Sequence, residues 1–262
     1  TQVLLRAMEY AATFGFSLWL RPQDVSLSRD GIPHDGAVAS RLGLPGIPAL
    51  AETVALATIL LLARETGARI HLARLSTREG IAMVRAAKAQ GLAVTCDVAC
   101  THVHLSENDL VSFDSHLHLI PPLRGQRDRE AIREALRDGS IDALCSDHTP
   151  VDEDEKQVPF GESAPGASGV ELLLPLTLKW AREMGVPLIQ AIDLISWKPA
   201  QILGVPGGNL SVGSCADICI FDETAEWVVT SKTLASQGDN TPFLNHPMQG
   251  RVRYTLIDGH ID

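Results

Sequence analysis

Asp147-His148 is the sharpest chemical signal in the chain. An aspartate at the end of an apolar run, followed by histidine, can bind a metal ion or take a proton from a metal-bound water. The same aspartate could equally cap a helix or anchor a loop. Four more histidines form two His-x-His pairs, His102 with His104 and His116 with His118, around a stretch rich in Ser, Asn and Asp. On a strand, residues i and i+2 share a face, so either pair could chelate zinc. A solvated loop is the other reading. His71, within Ile70-His71-Leu72-Ala73-Arg74, reads as a hydrogen-bonded core histidine. Arg21 and Arg74 each close an apolar run. A guanidinium there can hold a carboxylate or a phosphate, but it cannot ligate a metal, because it stays protonated and has no lone pair to give. The acidic run from Asp152 to Glu155 reads as a solvated face without calcium-loop spacing. The five cysteines, with no CxxC pair among them, read as reduced core thiols.

These residues need a frame, and the patterning supplies one. Helical and strand-like segments alternate, which predicts an α/β protein with a parallel sheet. A helix over 1–13 precedes a strand over 16–20. A polar Gly/Pro-rich loop follows over 22–48, then a helix over 49–66, apolar on nearly all sides and therefore expected to be buried, with Gly67 at its end. Strands are expected over 69–75, 93–98 and 141–146, with helices ending at Gln90 and spanning 128–137. Ser76-Thr77-Arg78-Glu79 has the form of a capping box. In this layout Arg21, Arg74, Asp97 and Asp147 fall at strand ends, where barrel enzymes carry their functional groups. Four strand–helix units are half of an eight-fold barrel; an open doubly wound sheet is the alternative. Helices over 170–184 and 188–203 lead to short strands over 216–221, 226–230 and 251–258. We divide the chain into 1–204, a partial barrel, and 205–262, a small β appendage.

The chain has 262 residues, 45% apolar and 21% charged, with a net charge of −10. That is enough to bury a sizeable core. The acidic balance argues against nucleic acid and against an anionic membrane surface. Its longest apolar run falls well short of the about 20 residues of a membrane span.

Several segments, in order, resemble class I dihydroorotases of the cyclic amidohydrolases. They are Ala73-Arg74-Leu75-Ser76-Thr77-Arg78-Glu79-Gly80, Pro121-Pro122-Leu123-Arg124, Asp138-Gly139-Ser140-Ile141-Asp142-Ala143 running to Asp147-His148-Thr149-Pro150, and Gly166-Ala167-Ser168-Gly169-Val170-Glu171. Lys198-Pro199-Ala200, Ala216-Asp217 and Asn240-Thr241-Pro242-Phe243 follow. The resemblance covers nearly the whole chain. It implies the C-terminal half of a (β/α)₈ TIM barrel of the metal-dependent amidohydrolase type, starting after barrel strand four, with a β appendage. It also implies that the family's metal-binding histidines on strands five and six are replaced by Arg21 and Arg74. The family's substrate-holding Asn and His would be replaced by Ile120 and Val151, and the strand-eight catalytic aspartate would be kept as Asp147. Two guanidinium ions in place of two imidazoles remove metal ligands and repel a divalent cation.

Three readings follow. The first is a catalytically inactive, structural dihydroorotase-like protein of de novo pyrimidine biosynthesis without a cofactor. As some bacterial members of the family do, it would assemble with aspartate carbamoyltransferase in a cytoplasmic oligomer. The second is an active zinc-dependent dihydroorotase or related cyclic amidohydrolase, interconverting N-carbamoyl-L-aspartate and L-dihydroorotate. The third is a binding protein in which Arg21 and Arg74 clasp a dicarboxylate.

Overall fold

Each predicted strand appears in the computed structural model, which describes residues 1–261. In chain order the elements begin with α1 (Gln2–Phe14), β1 (Ser17–Leu20), the short helices α2 (Val25–Ser28) and α3 (Ala37–Leu42), α4 (Leu50–Thr66) and β2 (Arg69–Leu72). Next come α5 (Arg78–Ala89), β3 (Val94–Ala99), α6 (Cys100–His104), α7 (Gln126–Arg137), β4 (Ala143–Cys145) and α8 (Glu153–Lys156). Helices α9 (Leu173–Met184), α10 (Leu188–Asp193) and α11 (Trp197–Leu203) precede β5 (Ile218–Val228), β6 (Pro247–Ile257) and β7 (His260–Ile261).

Strands β1 to β4 are parallel and adjacent in sequence order, as in one arc of a barrel. The pleat sorts their side chains. Ile70, Leu72, Cys96, Val98 and Leu144 face the helices and join Met8, Leu56, Ile81, Leu136 and Trp180 in the main core. The other face carries Trp19, His71, Thr95 and Asp97, aligned by the register Trp19 with His71 and His71 with Thr95. Its polar character follows from the alternation in β3, where Thr95 and Asp97 are interleaved with Cys96 and Val98. A second apolar cluster, including Val38, Leu110, Leu123 and Phe160, packs under the long connections at the strand ends.

Local signals were met unevenly. Gly67 ends α4 in the left-handed region at φ 67°, its N–H donating to the Ala63 carbonyl. That helix is not buried all round: Leu50, Val54 and Leu61 form an exposed stripe on its outer face. The capping box is also rearranged. Thr77, not Ser76, caps α5, accepting from the Gly80 N–H at 3.0 Å, while Glu79 pairs with Arg78. Strand β2 is shorter than the apolar run suggests, because the chain turns at Arg74, which has φ 60°. Residues 216–221 and 226–230 merge into one strand, β5, with an irregularity between Asp222 and Glu226. It pairs antiparallel with β6, and Val229 and Met248 run into the main core. Of the five cysteines, Cys96 and Cys100 are buried and burial pushes their thiols up to about 12. Cys215 and Cys219, read as core thiols, are exposed instead.

Candidate functional site at the carboxyl ends of the strands

Asp97 organises the inner face of the sheet. Its Oδ2 lies 2.8 Å from His71 Nε2, its Oδ1 accepts the backbone N–H of Arg74 at 2.8 Å, and the Cys145 thiol approaches the same oxygen at 3.3 Å. His71 Nδ1 meets Thr95 Oγ1 at 2.8 Å, and Trp19 lies tilted against the imidazole with ring centroids 4.2 Å apart. A carboxylate buried this deeply is tolerable only when its acceptor sites are filled. One consequence concerns the backbone. Arg74 adopts a left-handed conformation that costs a non-glycine residue on the order of 1–2 kcal/mol, and the Asp97–N–H bond holds it there.

The Arg74 side chain reaches across to Asp147, placing Nη1 2.5 Å from Oδ1 and 3.5 Å from the Ile120 carbonyl. Asp147 is itself left-handed, at φ 47°. Burial lifts its carboxyl above the usual carboxylate range, and this outweighs the downward pull of Arg74, Arg21 being a weaker partner. Arg21 follows β1 at the same end of the sheet. Burial is the main cause of its lowered pKa, with the Arg74 charge second and Asp147 opposing both. Two cations and one anion therefore share the mouth of the sheet.

Next to them lie Glu52 and Arg124, bridged by the Ser76 hydroxyl. Glu52, on α4 and 3% exposed, accepts four hydrogen bonds: from Ser76 N–H at 2.8 Å, Ser76 Oγ at 2.6 Å, Thr77 N–H at 3.0 Å and Thr77 Oγ1 at 2.6 Å. Arg124 Nε donates to Ser76 Oγ at 3.1 Å and its Nη1 to the Ile47 carbonyl at 2.7 Å. Sequence reasoning missed Glu52. A carboxylate in the middle of an apolar helix is the signal that could have found it.

The remaining sequence candidates disperse. His148 turns away from the site, its Nδ1 accepting from the Gly169 N–H at 3.2 Å. His102 and His104 lie on the short helix α6, not on a strand. Because carbonyls only accept, Nε2 is the protonated nitrogen of each, donating to Pro121 in one case (3.1 Å) and Leu176 in the other (2.9 Å). Burial depresses both to about 4, so they are neutral at physiological pH. His116 pairs with Asp114 and His118 with Ser163. Val151 lies beside Asn240, whose Oδ1 accepts its N–H at 3.3 Å. Thus Arg21, Arg74, Asp147 and the Ile120 backbone come together, while Val151 and the His-x-His pairs do not join them.

This donor set does not fit a divalent metal. Of the three charged side chains only Asp147 has lone pairs to offer, and its Oδ1 is taken by Arg74. Among the described residues no group of three or more His, Cys, Asp or Glu is arranged to hold a metal ion. Among the described residues no helix is long and apolar enough to cross a membrane.

With this geometry in hand, comparison gives the class. Residues 27–261 match the amidohydrolase family, and the chain belongs to it. Within that family it is similar to dihydroorotase-like proteins and to dihydroorotases. It is 45% identical over 260 residues to the dihydroorotase-like protein of Pseudomonas aeruginosa, covering 99% of this chain and 61% of that protein. The dihydroorotase of Syntrophotalea carbinolica is 41% identical, with the same coverage of 99% and 61%. The chain thus spans about three fifths of the length of these curated relatives. Among solved structures, the L-hydantoinase (dihydropyrimidinase) of Arthrobacter aurescens superimposes with a TM-score of 0.87 at 22% identity, over 98% of this chain and 59% of that one. The dihydropyrimidinase of Brevibacillus agri gives 0.85 at 20% identity, with 98% and 59% coverage. These likenesses bear out the α/β, barrel-type fold with a parallel core sheet.

Proposed function

We propose that this chain is the C-terminal barrel portion of a dihydroorotase-like protein that has lost catalysis and serves de novo pyrimidine biosynthesis as a structural partner of aspartate carbamoyltransferase. The observation that carries the loss of catalysis is the Arg74–Asp147 ion pair. In the proposed correspondence Asp147 is the family's catalytic aspartate, and Arg21 and Arg74 stand where two metal-binding histidines would be. Opening a cyclic amide in this family relies on a metal-activated water and a carboxylate free to move its proton. Here that carboxylate is neutralised at 2.5 Å by a guanidinium that cannot release a proton to it. The partner is what the family resemblance implies for a member of this kind.

The test uses the full-length protein. Metal analysis after purification in zinc-containing buffer should find no stoichiometric zinc, and dihydroorotate should not be turned over. Mixed with aspartate carbamoyltransferase from the same organism, the protein should co-elute as a complex. Stoichiometric zinc with chelator-sensitive turnover that disappears in Asp147→Ala would instead establish the active enzyme.

A further inference from the structure

The opposite end of the sheet holds a second cleft. Ser17 and Arg69 open β1 and β2 and are paired in register. Helix α11 brings Lys198 and Gln201 to the same place, and these residues line a cleft of about 420 Å³ at the amino ends of the strands, within the range of small-molecule sites. Barrel enzymes carry their chemistry at the carboxyl ends, so this cleft lies away from the Arg74–Asp147 pair. Its polar groups are one-sided. Arg69 Nη2 donates to the Gly15 carbonyl at 2.9 Å, which holds the guanidinium in place and leaves Nε and Nη1 without a protein partner among the described residues. The side chains of Ser17, Lys198 and Gln201 make no hydrogen bond or ion pair among the described residues. The one carboxylate in the lining, Asp142, is already committed: its Oδ2 takes Lys88 Nζ at 2.6 Å and the Cys96 N–H at 2.7 Å. Asp138 pairs with Arg85 at 2.5 Å and, like Glu65 at the end of α4, does not line the cleft. Arg69 and Lys198 therefore border it without a countercharge.

We propose that this cleft binds a small phosphate monoester, with the phosphate group held between Arg69 and Lys198. Charge selects the group: two cations without a countercharge match a dianion, and a phosphate monoester carries close to two negative charges at neutral pH. Donor geometry agrees. A guanidinium fork takes two phosphate oxygens, and an ammonium acts as a point charge on a third. The Ser17 hydroxyl and the Gln201 amide add neutral donors. Size selects the ester, because a bare oxyanion fills only a fraction of the cleft, and the apolar Leu92 and Ile202 beside it suit a carbon skeleton. The Gly15 carbonyl holds Arg69 ready, so less freedom is lost on binding. The inference is independent of the proposed function. It uses no residue of that site and holds whether or not the protein is catalytic.

Calorimetric titration of the full-length protein with glycerol 3-phosphate, inorganic phosphate and glycerol tests the assignment. Saturable single-site binding of glycerol 3-phosphate is expected, with glycerol silent and inorganic phosphate no tighter than the ester. Raising NaCl from about 0.05 M to about 0.5 M should weaken binding several-fold. Lys198→Gln and Arg69→Gln should each weaken it by about tenfold or more. Arg74→Gln, at the far end of the sheet, should leave the affinity for the ester unchanged, which separates this cleft from the strand-end site. The Lys198 side chain makes no bond within the described residues, so Lys198→Gln is expected to fold normally, which a melting curve verifies. Arg69→Gln also gives up the bond to Gly15, so Lys198→Gln carries the test if the Arg69 variant unfolds. No saturable binding of the ester up to about 10 mM, unchanged affinity in Lys198→Gln, loss of binding in Arg74→Gln, or tighter binding of inorganic phosphate than of the ester would each overturn the proposal.

Discussion

His102 shows how a residue that looks like a ligand can be structural. Its ring is enclosed, donates to proline carbonyls and accepts from Thr101 Oγ1 at 3.1 Å, so every lone pair and proton has a use. Its pKa falls from the ordinary 6.5 to about 4. The sign is direct: between these values the unfolded chain takes up a proton that the folded one refuses. Stability is therefore full above pH 6.5, falls as pH drops towards 4, and levels off below it. The loss is of order 3 kcal/mol for this one residue. Denaturant titrations across that range should show the slope, and His102→Gln, which can still donate to a carbonyl, should lessen it, leaving the part due to His104. A second prediction concerns Asp97. Asp97→Ala strands His71 and the Arg74 N–H in the interior and should destabilise by about 3–5 kcal/mol, read from the shift of the urea midpoint. At this scale the sequence was informative where strand ends could be located: Arg21, Arg74 and Asp147 do converge. It was misleading for the histidines, because spacing does not say whether a polar chain has already found a backbone carbonyl.

At the level of elements, the junction of α4 with α5 is the tightest test of packing. Four donors from Ser76 and Thr77 converge on one carboxylate, and Gly80 leaves it space. A Cβ at position 80 would come within 2.3 Å of Glu52 Oε1 and 2.9 Å of Thr77 Oγ1. Helix propensity alone favours Gly80→Ala by about 1 kcal/mol. We expect the reverse sign, a loss of about 1–3 kcal/mol from overpacking, measured by thermal or chemical unfolding. Glu52→Ala should cost more, about 3–5 kcal/mol, because it also leaves Arg124 without its nearest buried countercharge. The capping box read from Ser76 and Glu79 failed for the same reason. A local motif competes with long-range partners, and Ser76 is claimed by Glu52 from 24 residues upstream.

Across the whole molecule, alternating strands and helices were legible from periodicity, but closure was not, since closure depends on strand neighbours that no local pattern encodes. The parallel sheet ends at β1 on one side and β4 on the other. Beside β1, Tyr10, Phe14, Phe16 and Trp19 are all about half exposed, from 48% to 60%, and the first three cluster with ring centroids 4.5–6.4 Å apart.

The left-handed turn at residue 74 is secured through its main chain: Asp97 grips the N–H, and the side chain is left to reach Asp147. Whatever amino acid occupies this place inherits the same aim towards Asp147. Such a socket is permissive over evolutionary time, because one codon can exchange its occupant without rebuilding the loop. It also makes the change reversible in the laboratory. Under the proposed correspondence, Arg74→His with Arg21→His would put imidazoles at both positions, and zinc titration would read whether the site then takes a metal.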